Sequence, residues 1–398
     1  MTFESFTQAQ SALLWASLAI AVLLGAVANK TNFCTMGAVS DLVNMSDWGR
    51  MRAWMLAIAT ALIGVVLLES FGLVSPDQAF PPYRSNQLLW AENLLGGLTF
   101  GIGMTLASGC GNKSLIRFGA GNLKSLVVLI VIGIIAWFMI NPFPGSDQTL
   151  MSVLFIDWLR PMAITLQSKQ DLGSLVSADH ANLARLIIGG VLAAALLGFI
   201  FKSADFRRSR DNILGGLVVG LAVLGGWYVS SNLSINIENE TVSLRDSVNP
   251  TMEYWDMYPD FHPGLEDKPD GAPLSPQSFT FINPIGQTAG YFGKGFDSSI
   301  MTFGVMAVFG VVLGSLLWAL FSKSFRIEWF KDAKDFITHL IGAMLMGFGG
   351  ILAMGCTIGQ GVTGVSTLAL GSLIALIAII AGSAATMKIQ YEVMMRSD

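Results

Sequence analysis

Hydrophobic residues along this chain fall into nine long runs separated by shorter polar segments. Each run provides about 20 mostly apolar residues, the length that a helix needs to cross the hydrocarbon core of a bilayer. The pattern predicts an all-α, polytopic membrane bundle of about nine transmembrane helices, with short broken or re-entrant helices between some of them. The predicted spans are residues 11–29, 53–73, 91–109, 123–140, 185–202, 212–231, 298–321, 337–355 and 368–387.

The first run ends in Ala26-Val27-Ala28, which resembles the cleavage site of a signal peptide. Residues 1–10 contain no lysine or arginine and do contain Glu4, so the basic start of a signal peptide is missing. We therefore interpret this run as a retained membrane helix.

Composition agrees with the hydropathy pattern. Hydrophobic residues make up 53% of the chain and charged residues 13%, about half of the usual charged share in soluble domains. A net charge of −4, without a basic cluster among aromatic residues, gives no support to nucleic-acid binding. No G-x-x-x-x-G-K-[ST] sequence is present, so the chain carries no P-loop and we expect no ATP hydrolysis by it. We expect a transporter and not an enzyme.

Basic residues are distributed unevenly between the two sides that nine alternating spans define. Sixteen of the 23 lysines and arginines fall on the side of the C-terminus. By the positive-inside rule that side is cytoplasmic. The sequence therefore predicts a multi-pass protein of the bacterial inner membrane, with a periplasmic N-terminus and a cytoplasmic C-terminus.

Two segments are copies of each other: residues 93–110 read NLLGGLTFGIGMTLASGC and residues 339–356 read HLIGAMLMGFGGILAMGC. Five predicted spans separate the two copies, and because five is odd the copies run in opposite directions through the membrane. Inverted repeats are a common transporter construction, with the substrate site near the midplane. A duplicated structural domain without a transport role would give the same pattern.

The repeat predicts two pseudo-symmetric membrane halves. Residues 1–184 form the first half, with cysteine segments at Cys34 and Cys110, and residues 185–398 form the second, with Cys356. Residues 232–297, which are acidic and rich in proline, glycine and aromatic residues, are expected to form an extracytoplasmic insert in the second half.

The three cysteines form no C-x-x-C pair, and their odd number fits neither a disulfide framework nor a zinc site. Each lies where a predicted helix stops and a segment rich in Gly, Ser, Thr, Asn and Gln begins. Non-helical backbone at membrane depth is tolerated only where it is buried in protein or lines a cavity. The helix that restarts after each break offers free N–H groups and a positive dipole end to an anion.

A small anion with a terminal sulfur would match such a site, since backbone donors would hold its oxygens and thiols would contact its sulfur. The alternatives are structural: buried cysteine is often a small apolar filler, glycines allow close helix packing, and a lysine beside a span satisfies the positive-inside rule. Glu69 at the outer end of the second span is interpreted as solvated. The predicted pathway residues are Cys34, Cys110 and Cys356, with support from Asn32, Thr35, Gly109, Gly111, Asn112, Lys113, Gly355, Thr357, Gly359, Gln360, Gly361 and Thr363.

The strings TNFCTMGA, GIGMTLASGCGN and GFGGILAMGCTIGQGVTG together resemble the YeeE/YedE family of sulfur-transport membrane proteins. The motifs span residues 31–364 and contain all three cysteines. The resemblance implies a bundle of inverted repeats whose cysteines line a pathway and pass thiosulfate inward through S–H···S contacts. It also implies a cytoplasmic sulfur-carrier or rhodanese-like partner. Cys110 is the thiol expected to be indispensable, because the adjoining Asn112 and Lys113 can also bind an anion.

The sequence therefore predicts uptake of thiosulfate or a related small sulfur anion across the lipid bilayer, without a cofactor or a bound metal. Three alternatives stay open: a membrane sulfurtransferase that relays sulfur through a cysteine persulfide, a transporter of a selenium species, and a soft-metal permease that uses Cys and Met.

Overall fold

The computed structural model describes residues 1–237, 240–243 and 274–397. Within these ranges nine segments are long and apolar enough to cross a membrane. This confirms the predicted all-α, multi-pass membrane protein. Residues 244–273, the central part of the predicted insert, lie outside the described residues.

The first third of the chain alternates long helices with short ones. Side-chain caps define two of the starts, because Ser5 accepts a hydrogen bond from Gln8 N and Asn122 accepts one from Ser125 N. The elements are β1 (Thr2–Phe3), α1 (Phe6–Lys30), α2 (Thr35–Met45), α3 (Gly49–Ser70), a 3₁₀ turn (Pro76–Gln78), β2 (Gln87–Leu88), α4 (Trp90–Leu106), α5 (Gly111–Gly119) and α6 (Leu123–Ile140).

The middle of the chain contains an outer connection of short elements and then two long helices. The short strand β3 pairs antiparallel with β2, so this connection covers the loop that precedes α4. The elements are a π turn (Ser152–Ile156), α7 (Asp157–Leu159), a 3₁₀ turn (Arg160–Met162), β3 (Ile164–Thr165), α8 (Leu172–Val176), α9 (Ala181–Phe201), α10 (Ala204–Arg208) and α11 (Arg210–Ser231).

The last part of the chain again alternates long and short helices. Strand β4 pairs with β1 in parallel and with β5 antiparallel, which fixes the start of the chain beside the end of α11. The elements are β4 (Ser234–Ile237), β5 (Glu240–Ser243), α12 (Ile282–Gly293), a 3₁₀ turn (Ser298–Ile300), α13 (Phe303–Phe321), α14 (Ala333–Leu352), a π-helical segment (Gly359–Gly364) and α15 (Leu370–Ser397).

The core of the bundle forms where helices from the two ends of the chain pack on each other. Helix α1 packs on α13 and α3 packs on α11, while α4 packs on both α14 and α15. Helix α9 packs mainly on α3 and α8, and most of its apolar surface faces outward. The division into repeats at residues 184 and 185 stays a prediction.

Helices α4 and α14 cross antiparallel on glycines that the sequence repeat matches. A Cβ on Gly96 would lie 2.8 Å from the carbonyl oxygen of Gly349, and a Cβ on Gly103 would lie 2.6 Å from that of Gly342. The reverse distances, from Gly349 and Gly342, are 2.6 and 2.7 Å. These glycines therefore serve close helix packing, which is the structural alternative that the sequence left open.

The described end of the predicted insert is not an external loop. Leu274, Phe279 and Phe281 are buried, and α12 packs against α6, α13 and α14. This segment escapes a search for spans because α12 has only 12 residues, fewer than the roughly 17 that a full crossing needs.

Candidate functional site

The three cysteines begin three short helices in the centre of the bundle. Cys34 precedes α2, Cys110 precedes α5, and Cys356 precedes a helical segment over residues 357–366. Cys34 Sγ accepts a hydrogen bond from Gly37 N at 3.4 Å, and Cys356 Sγ accepts one from Gly359 N at 3.5 Å. The restart of a helix after each cysteine is therefore as the sequence predicts.

The same backbone break precedes each cysteine. The residue two positions earlier is left-handed in every case, with φ of +51° at Asn32, +58° at Ser108 and +56° at Met354. The next amide donates to a carbonyl five residues earlier, at 3.1, 2.8 and 2.8 Å respectively, as in a Schellman helix end. None of the three is glycine, so each break holds a conformation that costs roughly 1 kcal/mol or more.

The breaks bring the three thiols together. Side-chain hydrogen bonds link the three segments, because Thr357 beside Cys356 contacts Cys110, and Lys113 on the Cys110 helix contacts Asn32 beside Cys34. The Thr357 hydroxyl donates to Cys110 Sγ at 3.3 Å, which joins the Cys356 segment to the Cys110 segment. All three cysteines are buried and free of disulfides.

Lys113 joins the Cys34 segment to the Cys110 segment. This residue is buried on α5, and its ammonium group donates to the side-chain carbonyl of Asn32, which precedes Cys34. Its neighbour Arg117 donates to the carbonyl oxygen of Ser108 at 2.6 Å. The cation that the sequence places beside Cys110 therefore contacts the Cys34 segment.

Three polar oxygens beside the thiols have no hydrogen-bond partner among the described residues. They are Asn112 Oδ1, Thr280 Oγ1 and Gln360 Oε1, all buried. Buried polar groups are normally paired; the two amide oxygens can only accept, so of these three atoms only the Thr280 hydroxyl can donate to an anion. The amide nitrogen of Gln360 is used structurally, because it donates to the carbonyl of Ala353.

The other predicted residues of the Cys356 segment support its packing. Thr363 Oγ1 donates to Phe279 O at 2.7 Å, and a Cβ on Gly361 would lie 2.5 Å from the Trp54 ring. A Cβ on Gly359 would collide with Thr280 Oγ1. The structure thus gives these residues a packing role beside whatever they contribute to a ligand.

The remaining predicted residues lie at the other two breaks. Thr35 is a buried first residue of α2. A Cβ on Gly109 would lie 3.1 Å from the Lys113 side chain, one on Gly111 would lie 2.8 Å from Ile282, and one on Gly355 would lie 3.2 Å from Gln360. All three glycines therefore lie in crowded positions next to the thiols.

Sequence reasoning missed a fourth segment at this site, residues 274–293. The backbone of Phe281 lies at the Cys356 thiol, and Thr280 lies against Gly359. The only sequence signal is the string NPIGQT, which resembles the glycine-bearing polar strings after the cysteines but has no cysteine before it. A cavity of about 30 Å³ beside this segment is lined by polar side chains that include Thr280, Asn283 and Gln287.

A larger cavity of about 550 Å³ opens on the opposite side of the cysteines. Asn32 and Ser108, each two residues before a cysteine, line its inner end. Five basic side chains line it against two carboxylates, so its field favours anions. The charged lining residues are Lys113, Arg117, Lys124, Arg326, Lys331, Glu328 and Asp335.

A buried ion-pair network holds the end of the Cys356 segment from the other face. Arg84 Nε donates to Thr367 O at 2.8 Å, and its guanidinium pairs with Glu69. Glu69 also pairs with Arg185 at 2.9 Å, and its side chain is only 9% exposed. The expectation that Glu69 is solvated is therefore wrong, because two arginines from distant parts of the chain enclose it.

Two carboxylates outside the spans complete this network. Burial opposes ionisation of Asp77, but the charges of Arg84, Arg185 and Lys169 outweigh it and lower its pKa to about 2. Burial likewise opposes ionisation of Asp171, whereas hydrogen bonds from Arg185 lower its pKa. Both groups are therefore ionised at neutral pH and keep the network intact.

Comparison with known proteins adds a family and two named relatives. The Sulphur transport family model matches residues 30–385, a range that contains all three cysteine segments. The chain is 23% identical over 391 residues to the thiosulfate transporter TsuA of Escherichia coli K12, covering 93% of this chain and 92% of the relative. It is also 23% identical over 388 residues to the thiosulfate transporter TsuA of Spirochaeta thermophila, covering 93% and 97%.

Proposed function

Because this chain belongs to the sulphur-transport (YeeE/YedE) family of membrane proteins, we propose that it takes up thiosulfate or a closely related small sulfur anion through the three-cysteine site. The observation that carries the proposal is the convergence of three buried thiols, each at the start of a short helix. The transporter names of the two relatives support the substrate class.

The chemistry of the site suits an anion that has both oxygens and a terminal sulfur. Amides at the start of a short helix, with the positive end of its dipole, would bind the oxygens. A thiol hydrogen would bond to the terminal sulfur, a soft acceptor that matches a weak, polarizable donor. Sulfate lacks that sulfur and would lose the thiol contact.

The order of the thiols gives a path. Cys356 lies beside the segment that contains Phe281, and its neighbour Thr357 contacts Cys110. Lys113 then leads from the Cys110 helix to the Cys34 break and into the basic cavity. We propose that the anion passes Cys356, Cys110 and Cys34 in turn and leaves through that cavity. The bias of basic residues supports a cytoplasmic position for the cavity, and therefore inward transport.

Growth of a bacterial host without its sulfate and thiosulfate permeases, on thiosulfate as the only sulfur source, tests this function. We expect rescue by the wild-type chain and no rescue by Cys110→Ala. Thr338→Ala serves as a matched control, because Thr338 is half-buried near the start of α14, whereas Cys356 lies beyond the end of that helix. Equal rescue by Cys110→Ala at equal membrane levels would contradict the proposal.

The alternative of a sulfurtransferase predicts a persulfide on a cysteine. A persulfide relay needs a reactive thiolate, which a nearby cation favours. Lys113, the cation beside Cys110, donates instead to Asn32, so the geometry does not favour this chemistry. Cys110→Ser separates the two functions, since a hydroxyl keeps a hydrogen-bond donor but cannot carry sulfane sulfur. Transport through hydrogen bonds predicts partial uptake by Cys110→Ser. It also predicts that Cys110 of the wild-type chain gains no mass after turnover.

Two further predictions remain attached to this function. A selenium species is an alternative cargo, and competition of selenium oxyanions with labelled thiosulfate would reveal it. The cytoplasmic sulfur-carrier or rhodanese-like partner that the resemblance implies stays a prediction.

A further inference from the structure

An apolar groove of about 270 Å³ lies between α3, α9 and α15, away from the three-cysteine site. It extends from Met51 to Leu62 along α3, which is about 17 Å at the rise of an α-helix. Its lining is wholly apolar and mostly buried or half-buried, and one wall is formed by α9, whose surface mostly faces outward, so the groove suits a hydrocarbon chain. The other helices contribute Leu192, Leu196, Leu376 and Ile380 to its lining.

Arg52 lies at one end of this groove. Its chain neighbour Met51 lines the groove, and its guanidinium carbon lies 5.2 Å from the centre of the Phe199 ring, one turn beyond Leu196 on α9. Arg52 Nε is buried and has no hydrogen-bond partner within the described ranges. The side chain as a whole is only half-buried, so its guanidinium keeps donors that an anion at the end of the groove can use.

The position of Arg52 indicates what that ligand is. The residue lies in the first turn of α3, at the level of the lipid headgroups, on the side that the basic-residue bias assigns to the cytoplasm. The adjoining connection adds four basic residues: Lys202, Arg207, Arg208 and Arg210. Basic pockets between transmembrane helices on this side are suited to anionic lipid headgroups.

We propose that the groove binds an anionic phospholipid, with one acyl chain along α3 and the phosphate paired with Arg52. A guanidinium binds phosphate oxygens in a paired, charge-assisted geometry. Charge and apolar surface therefore select the same molecule: a free phosphate lacks the acyl chain, and in a zwitterionic lipid the headgroup ammonium offsets the phosphate charge that faces Arg52.

This lipid would support the cysteine segment from behind. Val365 and Leu368 line the groove and follow Cys356 in the same broken helix, and Trp54 fills the space beside Gly361. The acyl chain would therefore complete the packing on which that segment rests. The lipid site does not depend on transport, whereas its effect on uptake rests on the proposed function.

Native mass spectrometry of the full chain in detergent tests the site, with phosphatidylglycerol and phosphatidylcholine of the same acyl chains as probes. We expect the wild type to retain phosphatidylglycerol over phosphatidylcholine by about tenfold, because the choline ammonium cancels the net headgroup charge; this ratio corresponds to about 1.4 kcal/mol. Arg52→Gln should lose this preference. Leu196→Trp, which fills the groove, should reduce retention of both lipids.

Arg396→Gln is the matched control, because Arg396 is an exposed arginine of the same predicted side, in the last turn of α15 and outside the connection beside the groove. It should keep the wild-type preference, which separates a specific site from general attraction to a basic surface. An unchanged preference in Arg52→Gln, or equal retention of the two lipids by the wild type, would overturn the proposal. Elution as a single species on size exclusion shows that each variant is folded.

Uptake of labelled thiosulfate by vesicles with and without phosphatidylglycerol is the second readout. We expect the wild-type chain to lose uptake in vesicles without phosphatidylglycerol. The same chain should keep its lipid preference in detergent. If lipid binding succeeds and no vesicle takes up thiosulfate, the transport proposal fails and the lipid site stands.

Discussion

At the scale of single residues, Cys110 differs from the other two thiols in its partner. Cys34 and Cys356 accept hydrogen bonds from amides of their own helices, whereas Cys110 accepts one from Thr357 of a different segment. Because its sulfur acts as the acceptor, the Cys110 hydrogen stays free to be donated. Thr357 therefore orients the thiol that we expect to be indispensable.

Thr357→Val tests this role. The substitution preserves shape and removes the hydroxyl donor, and a hydrogen bond contributes about 0.5–1.5 kcal/mol, so we expect uptake to fall by roughly 2- to 10-fold. The initial rate of labelled thiosulfate uptake into vesicles measures it.

Thr357→Ser keeps the hydroxyl and is the control for that variant. We expect it to transport nearly as well as the wild type. If the valine and serine variants have the same rate, the hydroxyl contact has no part in transport.

Some of this residue-level detail was accessible from the sequence. Hydropathy and glycine content placed each cysteine at a helix break, because polar segments interrupt apolar runs there. The contact between Thr357 and Cys110 could not be predicted from the sequence, since 247 residues separate the two. The enclosure of Glu69 by Arg84 and Arg185 was equally invisible, because residues at the ends of predicted spans are normally solvated.

At the scale of elements, the antiparallel crossing of α4 and α14 positions two of the three breaks. Both helices end near the thiols, and their glycines meet in reciprocal pairs, Gly96 with Gly349 and Gly103 with Gly342. In a membrane such close backbone contact is a main source of helix association. The separation of these helices therefore sets the distance between the Cys110 and Cys356 segments.

Gly349→Ala should be destabilising. Its Cβ would lie 2.5 Å from Phe100 N and 2.6 Å from Gly96 O, and both are backbone atoms that cannot move away alone. We expect a loss of about 1–3 kcal/mol, the usual cost of overpacking. A lower Tm in detergent, measured by intrinsic fluorescence, reports it.

Gly198→Ala, in the peripheral helix α9, has no atom within 4 Å of the added Cβ. Its Tm should stay at the wild-type value or rise slightly, because alanine favours helix more than glycine does. An equal fall in the Tm of Gly349→Ala and Gly198→Ala would show that helix glycines act through flexibility and not through packing.

The elements also differ in how well the sequence predicted them. Nine runs of about 20 apolar residues identify nine spans because no other structure tolerates such runs in a bilayer. Helix α12 was assigned to an insert because a 12-residue helix reaches only about 18 Å, short of a full crossing. Short helices inside a bundle are stabilised by their neighbours, and hydropathy does not report those neighbours.

At the scale of the whole molecule, the two faces of the bundle are unlike. On one face a buried network of Arg84, Asp77 and Asp171 holds the chain close to the Cys356 segment, and the described cavity there is small. On the other face a wide basic cavity reaches two of the cysteine segments, at Asn32, Ser108 and Lys113. Within the described residues the cavity space is therefore much larger on the second face than on the first.

The orientation of these faces can be measured with single cysteines introduced at exposed positions. We expect Asp147→Cys to react with a membrane-impermeant maleimide on intact spheroplasts, and Asp205→Cys to react only after lysis, because basic residues concentrate on the side of Asp205. The wild-type chain is the control, since its own cysteines are buried. The reverse labelling pattern would place the basic cavity on the outer side of the membrane, and the proposed direction would then be export instead of uptake.

The shared backbone break has a consequence for how this protein tolerates mutation. Asn32, Ser108 and Met354 are chemically unrelated, yet each stands two positions before a cysteine. The three breaks share the spacing between the left-handed residue and the cysteine, and not a residue type. Single substitutions at the left-handed residue should therefore be tolerated. Loss or gain of one codon between the turn and the thiol would rotate the sulfur by about 100° around the following helix. Deep mutational scanning should therefore find these three left-handed positions more tolerant of missense changes than the segments are of single-residue insertions and deletions.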